Sequence, residues 1–187
     1  MPDRAPRGVV LVDIARAAIG EALGLSAPPG HEDPWLLEKA ATFVTLHKLG
    51  DLRGCIGSID ARRPLGADVA HNARRAAFND PRFPPVTSDE FDALEVEVSV
   101  LSPRSPVRAV SESEAIANLR PGIDGIYLEY AGSSATFLPQ VWQSIPDPTQ
   151  FLSELRRKAA LPPRFWHPDL RITRYTVEKF VDDRSRR

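Results

Sequence analysis

Ala41-Thr42-Phe43-Val44-Thr45-Leu46-His47-Lys48-Leu49-Gly50-Asp51-Leu52-Arg53-Gly54-Cys55-Ile56-Gly57 reads as two strands around a turn. Phe43 to Leu46 are β-branched, aromatic or aliphatic, and Lys48-Leu49-Gly50 suits a three-residue hairpin loop with glycine in the left-handed position. With that loop Thr45 faces Arg53, and His47 shares the face of Arg53 and Cys55. A one-residue slip would put Leu46 and Val44 there instead. Side chains two apart on a strand share a face, so Arg53 and Cys55 point one way, roughly 7 Å apart along the backbone. Leu52 and Ile56 then point the other way, as core anchors. Gly54 and Gly57 interrupt the strand, and glycine there marks a bulge or a close backbone approach.

Outward from the hairpin, helical spacing recurs on both sides. Leu11, Ile14, Ala15, Ala18, Ala22 and Leu23 give a helix over 9–23 with Gly24 as its stop. Residues 26–34 are a Pro- and Gly-rich loop holding His31, Glu32 and Asp33, a weak metal motif. A second helix begins near Pro64, with Leu65, Val69, Ala73, Ala76 and Ala77 as its buried stripe, and Asn79-Asp80-Pro81 ends it. Residues 94–101 alternate, with Leu94, Val96, Val98 and Val100 on the inner face. Ser111-Glu112-Ser113-Glu114 has capping-box spacing and starts a short helix. Strands follow at 126–130 and 135–141, the second holding Pro139 and Gln140. Asp147 caps a last helix carrying Phe151, Leu152, Leu155 and Ala159, which Pro162 and Pro163 stop. Residues 170–180 form a final strand. Hairpin, helix, strand, helix, hairpin, helix, strand resembles one unit used twice, and the mixture predicts an α+β domain with a mostly antiparallel sheet.

Composition narrows the function. A chain of 187 residues with 42% apolar and 26% charged residues is enough for a core of its own. A net charge of −1 gives no electrostatic footprint for nucleic acid. The single cysteine excludes an intramolecular disulfide, a four-thiolate zinc site and a cysteine-held iron–sulfur cluster. No apolar run approaches the roughly 20 residues that span a membrane, and Met1 to Pro6 lacks a signal peptide's pattern, so the expected location is cytoplasmic. No cofactor and no metal is expected.

Several blocks, in order, resemble the AMMECR-one domain family. They are Thr42 to Leu46 leading into Leu52-Arg53-Gly54-Cys55-Ile56-Gly57, then 76–83, then 95–101, then Phe137 to Val141, and Lys158 to Leu161 with Trp166. The resemblance implies a single domain over 8–182, with a charged tail at 183–187. It implies two similar β/α units around one barrel-like sheet, helices packed outside. It also implies kinship with protein A of the AmmeMemoRadiSam system, whose companions are a Memo-like and a radical-SAM protein. It implies no reaction. Ala160 stands where many members have glycine.

Within that frame Cys55 is the candidate nucleophile, with His47 as a candidate base. Arg53 is expected beside the thiol, where a guanidinium favours the thiolate or holds a small anionic ligand. The amides of Gly54 and Gly57, together with Thr45, are candidate binding groups. Asp80 and Arg82 either pair locally or line a cleft. Glu97 is either solvated or a partner for Arg53 or Arg82, and Gln140 anchors a bend or contacts a ligand. A buried, inert Cys55 is the competing reading, since free cysteine often packs as a small hydrophobe. In that case the hairpin is the interface of a noncatalytic adaptor that docks a Memo-like or radical-SAM partner.

Overall fold

The computed structural model describes residues 6–25 and 30–182; the charged tail and part of the Pro/Gly-rich loop lie outside them. The chain divides into two compact units, Met1–Leu101 with Glu178–Arg187, and Ser102–Val177.

The first unit holds helix α1 (Arg7–Ala22), strands β1 (Ala41–Lys48) and β2 (Asp51–Gly57), helix α2 (Leu65–Phe78) and strand β3 (Leu94–Leu101). Gly24, at φ +73°, ends α1 with Leu25 N–H returning to Gly20 O, the left-handed terminus that the stop signal predicted. The expected stripe of α2 is buried, as are Leu94, Val96, Val98 and Val100, and together with α1, Val44 and Leu46 they form one core. Asp68 on α2, fully buried, accepts from Thr42 N (3.0 Å) and Oγ1 (2.8 Å), Asn72 Nδ2 (3.0 Å) and Ser58 Oγ (3.0 Å). This carboxylate fixes the helix to the far end of the hairpin.

Three expectations about the hairpin change. The loop has two residues, Leu49 (φ +54°) and Gly50 (φ +86°), with Lys48 opposite Asp51. Two left-handed residues match the twist of the flanking strands. The register shifts between Leu46 and His47, because Leu46 pairs Gly54 while His47 pairs Leu52, leaving Arg53 as the extra residue of a β-bulge. Thr45 therefore faces Cys55 and not Arg53. The bulge also turns Leu52 out of the core row, and it is 40% exposed.

The second unit holds strand β4 (Ser105–Pro106), helix α3 (Glu112–Ala117), strands β5 (Gly125–Tyr130) and β6 (Ser133–Phe137), helix α4 (Pro148–Lys158) and strand β7 (Arg171–Tyr175). Ser111 and Asp147 cap α3 and α4 through Glu114 N and Gln150 N. Residues Pro139–Gln143 form a 3-10 helix, not strand, since Pro139 cannot donate to a ladder. The predicted last strand divides at Thr176 into β7 and β8 (Val177–Val181).

The sheet orders are β2-β1-β3-β8 and β6-β5-β7-β4, and the registers within them are antiparallel. Each sheet thus runs from the second hairpin strand through the first to the strand after the helix, with a closing strand last. This is an α+β fold with one pattern used twice, as the element order suggests. Among the described residues the single barrel-like sheet is not found: they form two four-stranded sheets, each with its own helices and core. On the outer edge of β2 the N–H and C=O of Cys55 are already bonded to side chains, which withdraws that residue from pairing with a further strand.

Candidate functional site

Cys55 lies in edge strand β2, half-buried, opposite Thr45. Its N–H and C=O point away from β1. Asp80, in the turn after α2, accepts the N–H at 2.9 Å, and Arg82 Nη2 reaches the carbonyl at 3.4 Å. Helix α2 delivers Asp80 here because Gly54, in the core-facing row, leaves room for the Ala76 carbonyl where a Cβ would collide.

Asp80 is 2% exposed and also accepts from Arg82 N (3.1 Å), Nε (2.9 Å) and Nη2 (2.7 Å). The Arg82 guanidinium, then the Cys55 amide, hold its carboxyl well below the usual carboxylate range. Asp80 in turn raises Arg82, whose side chain remains 54% exposed and lies over the Phe83 ring. The cation beside Cys55 is therefore Arg82, locked in direction yet open to solvent. On the inner side, Thr45 Oγ1 donates to Cys55 Sγ at 3.2 Å. The sulfur thus has a hydroxyl at hydrogen-bond distance, and the guanidinium reaches the carbonyl of the same residue.

Arg53 is placed elsewhere. Arg53 and Gly54 together oppose Leu46, on the helix-bearing side, as the two residues of a bulge do. The guanidinium bonds Glu90 through Nε (3.2 Å) and Nη2 (3.0 Å), Pro84 O (2.9 Å) and Pro85 O (3.4 Å), and only 11% of the side chain is exposed. Lys48 bonds the same Glu90 at 2.8 Å. Arg53, then Lys48, draw the Glu90 carboxyl down to about 2. The arginine of the Arg-Gly-Cys stretch is thus structural, and it ties the segment before β3 to the hairpin. The signal for it was Thr87-x-x-Glu90, a capping box around the 3-10 turn Ser88–Ala93 that sequence reasoning missed.

The remaining candidates separate. Thr45 is opposite Glu97 on β3 as well as Cys55 on β2, so thiol, hydroxyl and carboxylate form one row across three strands. Glu97 pairs with Lys179 of β8 at 3.1 Å and accepts from Ser99 at 3.4 Å. It is a partner of neither Arg53 nor Arg82. His47 stands on the same face in the next row, between Leu52 and Glu95, and no hydrogen bond joins it to Cys55 among the described residues. Gly57 is filled by the Phe43 ring, and Gly54 by α2. Both glycines serve packing. Gln140 is exposed in the second unit. Among the described residues no group of three or more His, Cys, Asp or Glu is set to hold a metal ion, and no helix is long and apolar enough to cross a membrane.

The second unit provides an internal comparison. Superposing the turns Leu49-Gly50 and Ala131-Gly132 sets Thr45 on Tyr127, and with the extra bulge residue Arg53 passed over, Thr136, opposite Tyr127, is the counterpart of Cys55. Thr136 O accepts from Lys158 Nζ at 3.0 Å, as Cys55 O accepts from Arg82. The Thr136 hydroxyl, however, is bonded to Ile126 O (2.8 Å) and Tyr175 Oη (2.7 Å). At the same place in the pattern, one unit has a hydroxyl with two structural bonds and the other a half-buried thiol.

The family model AMMECR1 matches residues 12–180. The chain belongs to the AMMECR1 family. An AMMECR1 relative from Methanothermobacter thermautotrophicus is 39% identical over 186 residues, 94% of each chain. One from Thermofilum pendens is 37% identical over 197 residues, 95% of this chain and 91% of its own. The crystal structure of an uncharacterized protein, PH0010, from Pyrococcus horikoshii is similar with a TM-score of 0.83 and 38% identity, covering 94% of this chain and 91% of that one.

Proposed function

We propose that this AMMECR1-family protein is a cytoplasmic component of an AmmeMemoRadiSam-type system. In this reading it handles a small anionic ligand at Cys55, with Arg82 as the anion contact. One observation supports this above the others: a half-buried cysteine takes a hydroxyl hydrogen bond on its sulfur, and a fixed, solvent-open guanidinium reaches its backbone carbonyl. Arg82 orients the anion, Asp80 aims Arg82, and the sulfur is the reacting or contacting atom. Arg53 supports the hairpin from behind.

The test is the ratio of Cys55 alkylation rates by iodoacetate, an anion, and iodoacetamide, which is neutral. Both reagents consume the same thiolate, so its population cancels in the ratio. Removing one cation roughly 6 Å away in water lowers the anion's relative rate roughly threefold. Arg82→Gln lowers the ratio by that amount, Arg82→Lys retains most of it, and Arg53→Gln leaves it unchanged. A ratio indifferent to Arg82, or a thiol that reacts only on unfolding, refutes the reading.

A second reading has an observation of its own. Leu49 and Leu52 stand 86% and 40% exposed at and beside the hairpin tip, an apolar pair suited to docking a Memo-like or radical-SAM partner. Complex formation that survives Cys55→Ser and fails in Leu52→Glu supports an adaptor.

A further inference from the structure

The second unit carries an open groove of about 580 Å³ at the end of its sheet. The β5–β7 ladder stops at the pair Glu129 and Arg171. Beyond it the two chain segments bound the groove, Tyr130, Ala131 and Gly132 on one side, Pro168 and Asp169 on the other. Glu129 and Arg171 both line it. Opposite charges directly across two strands have Cβ atoms roughly 5 Å apart, within reach of an ion pair. Among the described residues, neither side chain makes a hydrogen bond or ion pair. Two complementary charges thus stand on paired strands in a concavity, neither of them bonded among the described residues.

The Asp169 wall is built in advance. Tyr130 packs on Phe165 (4.7 Å between ring centroids) and on His167 (5.0 Å). The Asp169 N–H donates to His167 Nδ1 at 3.1 Å, and buried Leu170 donates its N–H to His167 O at 3.0 Å. The turn is held by its rings and its own bonds, so binding has little chain entropy to overcome.

We propose that this groove binds a free α-amino acid, its carboxylate on Arg171 and its ammonium on Glu129, with Asp169 reinforcing the cationic end. The charges stand on adjacent strands, so the ligand must carry both on neighbouring atoms. A peptide separates its terminal charges, a polyamine meets Arg171, and a dicarboxylate meets two acids. Tyr130 and Pro168 offer apolar surface, which suits an aliphatic or aromatic side chain, and the net negative lining also admits a basic one.

Isothermal titration of the full chain with L-phenylalanine, L-leucine and L-lysine tests this, with N-acetyl-L-phenylalanine, L-phenylalaninamide and glycyl-L-phenylalanine alongside. At least one free amino acid binds with a millimolar or tighter Kd, and for L-phenylalanine each blocked form and the dipeptide lose about tenfold or more. Arg171→Gln and Glu129→Gln each weaken the free amino acid at least about fivefold without lowering the melting temperature. Cys55→Ser leaves it unchanged, which separates this groove from the Cys55 site. Silence toward all three amino acids up to about 10 mM, equal binding of the blocked forms, or indifference to both charge substitutions overturns the proposal.

Discussion

Glu90→Gln destabilises this protein most near neutrality and almost not at all in strong acid. The Glu90 carboxylate is bonded by Arg53 at 3.2 and 3.0 Å and by Lys48 at 2.8 Å, and its pKa falls from 4.5 to about 2. A carboxyl whose folded pKa is depressed contributes stability that is complete above the unfolded value and is lost as pH falls through the folded one. At roughly 1.4 kcal/mol per unit, the full contribution is on the order of 3 kcal/mol. By the same relation roughly 2 kcal/mol has gone by pH 3, and nearly all by pH 2. Glu90 is 19% exposed and Arg53 11%, so solvent screening removes only part of this. Asp80, also held low, adds an acid loss common to both proteins, which cancels in their difference. Urea unfolding of wild type and Glu90→Gln at pH 7, 4, 3 and 2 reads the effect directly. With that screening, the stability gap closes by about 1–2 kcal/mol between pH 7 and pH 3, and Arg53→Met, measured with the double variant, shows strong coupling at pH 7 only. A gap that stays constant with pH would refute the assignment of Arg53 to Glu90, and with it the claim that Arg53 is a structural residue.

Three further outcomes follow from the packing. Gly54→Ala places a Cβ within 3.0 Å of the Ala76 carbonyl oxygen, so α2 must retreat; stability falls by about 1–3 kcal/mol, and the Asp80–Cys55 hydrogen bond loosens, which faster native-state exchange of the Cys55 amide reports. Ala160→Gly stabilises by about 0.5–1 kcal/mol, seen as a raised urea midpoint. Ala160 sits at φ +58° in a Schellman end, with Leu161 N–H on Arg156 O and Ala160 N–H on Arg157 O, each at 2.9 Å. Tyr175, its phenol pushed up to about 12 by burial, favours folding while protonated, so that stability is present below pH 10 and lost as pH rises through about 12. Ultraviolet titration finds one of the three tyrosines ionising late, and Tyr175→Phe flattens the alkaline loss.

By itself the sequence determined whatever depends on short-range periodicity. Helix α2 has its apolar stripe from Leu65 to Ala77, the strand Leu94–Leu101 its alternation, Ser111 and Asp147 their capping bonds, and Gly24 its left-handed terminus, because each is decided by residues within about two turns or one strand. The repetition of one pattern was legible for the same reason, since the order of elements is a linear property. Tertiary structure alone decided the hairpin's register and therefore the site. One extra residue at Arg53 is invisible in alternation, yet it reverses that side chain, exposes Leu52 and sets Thr45 opposite Cys55. What fixes the bulge is remote in the chain: Glu90 and the Pro84 carbonyl engage Arg53, and the Ala76 carbonyl occupies the space over Gly54. Asp80 and Arg82 bond the outward N–H and C=O of Cys55 from 25 and 27 residues away. Bonds between distant segments leave no period in a sequence, and here they choose which arginine stands beside the thiol.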